Sequence, residues 1–170
     1  MKNFKLSEID ILSNQDWTFP TTTYYGPGRF NEIGKFCEEF EIKNPLIVTD
    51  SGSKDLPFIN KLETLLSKNN IKSEIFYNIS PNPRDDEISK GCDQFRSGKH
   101  DAIIAIGGGS AMDGGKSICL TVNSDTPLWD FEFEQPVPKI TKENAFPKII
   151  TIPTTSGTGA ETEITAMVTH

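Results

Sequence analysis

The stretch DAIIAIGGGSAMDGGKS, residues 101–117, constrains the fold of this chain more than any other. The apolar run at 102–106 predicts a buried strand, and three glycines end it abruptly. A helix is predicted to follow, from about Ser110 to Val122. Backbone amides at a helix N-terminus bind phosphate because they are unpaired donors and the helix dipole adds positive potential. Glycines remove the β-carbons that would hold a pyrophosphate at a distance. The plainer alternative is a tight strand-to-helix turn with no ligand, although three successive glycines cost backbone entropy that a turn alone seldom requires.

Two named phosphate motifs are excluded by single residues. A Walker A loop places glycine five positions before Gly-Lys-Ser, and here Ser110 stands there. The G-x-G-x-x-G pattern fits Gly107 and Gly109 but puts Met112 at its third glycine. Ser110 has the chemistry to cap the helix or to bond a phosphate, and Asp113 suits either a ligand or the positive helix end.

Around this unit, apolar runs and helical stripes alternate. Strands are predicted at 22–25, 46–49, 72–79, 102–106 and 148–152, and helices at 29–40, 58–68 and the mid-80s to mid-90s. A short helix is expected near Trp129 inside the Pro-rich connection 123–147, and a strand-like run closes the chain. This alternation predicts an α/β fold, a doubly wound and mainly parallel sheet, in one domain over residues 1–170. A second anion-compatible loop, PTTSGTGAE at 153–161, follows the strand KIITI. Two such loops at C-terminal strand ends favour a ligand between them. Asp50, closing LIVTD, can accept from ribose hydroxyls and repel the extra phosphate of NADP; a surface turn is its plainer role. GPG at 26–28 stands about twenty residues before it, as the first turn of a dinucleotide fold would. The serine hydrolase pattern G-x-S-x-G is absent around Ser156.

A net charge of −7 argues against broad nucleic-acid or anionic-membrane surfaces. Three scattered cysteines read as reduced thiols, and neither a signal peptide nor a membrane-length apolar run is found, so a cytoplasmic protein is expected.

Together, GGGSAMDGGK and IPTTSGTGAE resemble the paired signatures of the iron-containing, group III alcohol dehydrogenases, and the resemblance runs from about Tyr24 to His170. Dehydroquinate synthase, which shares the fold, is expected to follow Pro-Thr-Thr with apolar residues, and glycerol dehydrogenase to carry a Ser-Thr-Asp loop. The resemblance implies a Rossmann-like, dehydroquinate-synthase-like N-terminal domain followed by a helical, metal-binding one. It implies that Asp50 meets the adenine ribose of NAD and that Asn82 approaches the adenosine. Gly108, Gly109, Ser110, Ala111 and Met112 would surround the pyrophosphate, with Asp113 nearby. Thr154, Thr155, Ser156, Gly157 and Thr158 would line the nicotinamide side, and Glu163 and Thr165 match the family more loosely.

The family's divalent metal, iron or zinc, is held by an aspartate and histidines of the helical half. Here His100 reads as a solvated turn residue and His170 is the last residue, so those ligands are not expected in this chain. The expectation is a chain truncated before the helical domain, without turnover alone, derived from an enzyme moving hydride between a nicotinamide and a small alcohol or aldehyde. A homo-oligomer is a further implication. The alternatives are a non-enzymatic nucleotide-binding module and a lyase of the dehydroquinate synthase type.

Overall fold

The alternation of apolar runs and amphipathic stripes closes into one parallel sheet covered on both faces. The computed structural model describes residues 15–18, 21–141 and 145–170. Four strands, β3 (Pro45–Asp50), β4 (Glu74–Ile79), β5 (Ala102–Gly107) and β6 (Lys148–Pro153), pair in the order β4-β3-β5-β6, all parallel. Helices α2 (Pro57–Lys68), α3 (Asp85–Ser97) and α4 (Gly109–Thr121) connect or follow them, and α1 (Ile33–Glu39) precedes β3. A separate antiparallel hairpin, β1 (Gln15–Thr18) with β2 (Thr22–Tyr25), enters the domain.

Strand period explains the two faces. Along β5, Ile103 and Ala105 face the core under α3 and α4, while Ala102, Ile104 and Ile106 face the core under α1 and α2. Leu46 and Val48 of β3 join the first core and Ile47 joins the second. Every residue of β5 is buried, as a run of apolar residues without alternation requires. β6 lies at the edge and is at best half-buried.

The chain leaves β3 for β4 on one side, then returns to place β5 on the other. The switch point of this doubly wound sheet therefore falls between the C-terminal ends of β3 and β5. Helix α4 can lie close to the sheet because of two glycines. A Cβ on Gly115 would come 2.5 Å from the Ala105 Cβ, and one on Gly114 would come 2.7 Å from the Ile79 side chain. These glycines perform the helix–strand packing that a dinucleotide motif assigns to its third glycine. Met112, standing at that motif position, is fully buried instead.

Several expectations are corrected. GPG at 26–28 does not make the first turn of the parallel sheet: it follows β2, which pairs only with β1 among the described strands. The helix expected over 29–40 divides into a 3-10 turn at Arg29–Glu32 and α1. The closing segment is not a strand of the sheet; it makes one isolated bridge, Arg84 to Thr169. His100 is not solvated. Its side chain is fully buried, Nδ1 lies 3.0 Å from the Asn44 carbonyl, and its ring packs against Phe95. The polar neighbours of His100 in sequence hid this, because its cover combines Phe95 of the preceding helix with Asn44, which is distant in the chain. Most of the N-terminal segment read for a signal peptide lies outside the described residues. No described helix is long and apolar enough to cross a membrane.

Candidate functional site

Three turns meet at the switch point. The first runs from β5 through Gly107 and Gly108 into α4. Gly107 holds φ at 146°, in the region that favours glycine. A Cβ there would come 2.7 Å from the Ala111 Cβ and 3.1 Å from Asp50 Oδ2. Side-chain chemistry is thus excluded from this turn, and only backbone remains. No side chain caps the N-terminus of α4, so Ser110 is not its cap, and Gly108 to Ser110 are partly exposed. The first amides of a helix have no intrahelical partner and are left for a ligand. Ala111 and Met112 bury their side chains in the core, and the Met112 N–H already donates to Gly108 O at 3.2 Å.

The second turn follows β3. Asp50 Oδ1 accepts from the Gly52 and Ser53 amides at 3.0 and 2.9 Å, and Oδ2 accepts from Ser53 Oγ at 2.8 Å. Ser53 fixes the carboxylate beside the glycine turn while leaving Oδ2 lone pairs for a hydroxyl donor. Below it, the Thr49 hydroxyl is fully buried and has no hydrogen-bond partner among the described residues.

The third turn is the loop after β6. The Thr154 amide donates to Gly107 O at 2.8 Å, fastening this loop to the first. A Cβ on Gly108 would lie 3.3 Å from Thr155 Oγ1, and one on Gly109 would lie 3.7 Å from Thr158. The two loops therefore face one another across a gap that a side chain on Gly108 would fill. Residues 153–158 are exposed, so their hydroxyls are open to solvent.

Asn82 sits further along, in the turn between β4 and α3, exposed and left-handed at φ 58°. Buried Glu87 organises that turn: Oε2 accepts from Ser80 N, Ser80 Oγ and Arg84 N, each at 3.1 Å. Behind the cleft, burial pushes the Asp113 carboxyl up, and the Met167 N–H that it accepts opposes the shift. Burial likewise pushes the Lys116 ammonium down, against the neighbouring Asp113 and Glu163 charges. Asp85, at the start of α3, is held below its ordinary range first by the Trp129 indole N–H at 3.0 Å and then by His170.

The structure thus brings together Asp50, the 107–110 turn and the 154–158 loop. Asn82 stands on the adjoining turn, and Asp113 lies behind, on α4. The roles of Ser53, Glu87 and Lys116 escaped the sequence reading, because each acts through bonds to backbone or to residues that carry no motif. Among the described residues, no three His, Cys, Asp or Glu side chains converge where an ion could sit. They do not make a metal centre. A dinucleotide does fit, since a backbone-only turn, free helix amides and an acidic acceptor share one cleft.

The family model of iron-containing alcohol dehydrogenases matches residues 20–170. The chain is 30% identical over 148 residues to 1,3-propanediol dehydrogenase of Citrobacter freundii, covering 86% of this chain and 37% of that one. It is 32% identical over 156 residues to NADH-dependent butanol dehydrogenase A of Clostridium acetobutylicum, covering 91% and 39%. The solved sulfoacetaldehyde reductase of Bifidobacterium kashiwanohense, in complex with NAD+, superposes with a TM-score of 0.68 at 27% identity, over 81% of this chain and 35% of that one. The chain spans well under half the length of these relatives. With its fold, its paired loops and its match over residues 20–170 in agreement, this chain belongs to the iron-containing alcohol dehydrogenase family.

Proposed function

We propose that this chain is the NAD-binding domain of an alcohol dehydrogenase, seating the cofactor for hydride exchange with a small alcohol or aldehyde. One observation carries the reading: Asp50, the Gly107–Gly109 turn and the 154–158 loop converge at the switch point between β3 and β5. The α4 amides at Gly109, Ser110 and Ala111 bind the pyrophosphate, with Gly108 giving it room. Asp50 accepts from the adenine ribose, and its charge opposes a 2′-phosphate. Asn82 borders the adenosine. Thr154, Thr155, Ser156, Gly157 and Thr158 border the nicotinamide side, with Glu163 and Thr165 beyond. Met112 serves by packing, and Asp113 by holding the segment that follows the second loop. The bound nicotinamide supplies the hydride chemistry, and the protein's part is to orient it.

The domain spans the whole chain, acts in the cytoplasm and associates with a second copy of itself. The likeness to a butanol dehydrogenase described as NADH-dependent and to a reductase solved with NAD+ supports the cofactor assignment. Calorimetric titration with NAD and NADP tests it. NAD binds about tenfold or more tightly than NADP to the unmutated chain, and Asp50→Gly narrows that ratio. Equal affinities in the unmutated chain would remove the role of Asp50, and no binding of either would remove the function.

A further inference from the structure

We propose that Glu87 is a positioning residue: its buried carboxylate sets the turn that carries Asn82, and through it the adenosine end of a bound dinucleotide. This rests on the reading of Asn82 given above. The turn, residues 80–84, reads Ser-Pro-Asn-Pro-Arg. Pro81 and Pro83 offer no N–H, so only three main-chain donors remain in it. Two of them, Ser80 N–H and Arg84 N–H, donate to Glu87 Oε2, and the Ser80 hydroxyl donates to the same oxygen, each at 3.1 Å. The third, the Asn82 N–H, has no hydrogen-bond partner among the described residues, and neither has the Asn82 side chain.

Asn82 stands at φ 58°, directly before a proline, where the backbone is pushed toward extended values. Its conformation must therefore be imposed by its surroundings. Glu87 grips the chain on both sides of it, and the Arg84 guanidinium, 3.6 Å from Oε1, steadies the carboxylate. A carboxylate oxygen only accepts, so it suits several converging donors better than an amide would. Any acidic residue in the first turn of α3 answers the helix dipole. Its neighbours do so while serving elsewhere: Asp85 accepts from the Trp129 indole, and Asp86 binds Arg84 and Lys90. Glu87 alone of the three is buried and directed back onto the turn. On the other side, Thr169 N–H donates to Pro83 O at 2.8 Å and needs nothing from Glu87.

Ligands with and without adenosine should therefore respond differently. In Glu87→Gln, which keeps the shape and removes the charge, calorimetric titration should show ADP binding about fivefold more weakly and inorganic pyrophosphate within about twofold. Ser80→Ala, which removes one donor and leaves α3 its acid, weakens ADP about twofold, again without pyrophosphate. A helix cap alone would leave both affinities unchanged in folded protein, and a general charge or packing effect would move both together; either result overturns the proposal. Amide exchange of the ligand-free chain, resolved by NMR, provides the arm that does not depend on nucleotide. In Glu87→Gln it should quicken at Ser80 and Arg84 and stay unchanged at Thr169; unchanged exchange at Ser80 and Arg84 overturns the grip. An unmutated chain that binds neither NAD nor ADP takes down the dinucleotide reading and this role together. NAD binding by the unmutated chain, with ADP affinity unaffected in both variants, takes down the role alone.

Discussion

Two loops leave neighbouring strands at the same C-terminal end of the sheet, and they are built in opposite ways. The loop after β5 springs from a strand whose six residues are all buried, and it runs straight into α4. Its backbone is pressed between Ala111 and Asp50, so its shape is dictated by the core. The loop after β6 springs from the edge strand, its residues 153–158 are exposed, and hydrogen bonds fasten its two ends, Thr154 N–H to Gly107 O and Thr151 Oγ1 to Glu161 O. The rigid loop suits the invariant part of a dinucleotide, the pyrophosphate. The tethered one suits the part that must be approached by a second reactant. Position in the sheet has decided which loop is a fixture and which is adjustable.

Substitutions at the glycines break or sharpen this contrast. Gly107→Ala meets both a disfavoured φ and a Cβ 2.7 Å from Ala111, and unfolding by urea should show a loss of about 3 kcal/mol. A loss below about 1 kcal/mol would mean the first loop is not held by the core. Gly108→Ala is milder for the fold, since its Cβ would meet only Thr155 Oγ1 at 3.3 Å. It should cost about tenfold in NAD affinity, a barrier of about 1.4 kcal/mol placed in the cleft itself, with little change in stability.

Gly157→Ala provides the matching test in the second loop. Gly157 also has positive φ, at 93°, but a Cβ there meets nothing within 4 Å. Only the conformational cost applies, about 1 kcal/mol at most, and equality with Gly107→Ala would erase the distinction between the loops. The smallest effect is expected at Asp113→Asn. Burial raises the Asp113 pKa in the folded state, so its contribution to stability is greatest at low pH and is lost as pH rises through the raised pKa. The amide variant should exceed the parent in stability by less than about 1 kcal/mol at neutral pH, the gap closing as pH falls through the carboxylate range. A gap that widens on acidification would reverse the assigned sign.

The same contrast explains what could be read from sequence. β3, β5 and α4 were legible because burial on both faces forces unbroken apolar runs, and because a turn pressed by the core admits only glycine. The cleft residues Asp50, Gly108 and Gly109 were legible from those constraints together with the family pattern. The alternating apolar residues at 164–168 imitate a strand, yet no sheet edge receives them, and Ile164 and Met167 remain exposed. His100 was misread because its burial is created by Asn44 and Phe95 through the fold. Ser53, Glu87 and Lys116 bind main-chain groups or a turn neighbour, and such bonds leave no periodic trace in a sequence. The packing glycine is also displaced along α4, so a motif with fixed spacing overlooks a contact that a shifted pair makes equally well.

The edge position of β6 also bears on how the chain behaves in bulk. Among the described strands none pairs with its outer side, where Ile149 is 36% exposed and a cavity of about 510 Å³ is bordered by residues 21–26. Such an edge is a template for strands of other molecules. Solubility should therefore fail by sticking at β6 while the nucleotide cleft, seated between central strands, is still intact. A lysine in place of Ile149 would keep solutions clear at concentrations where the parent turns cloudy.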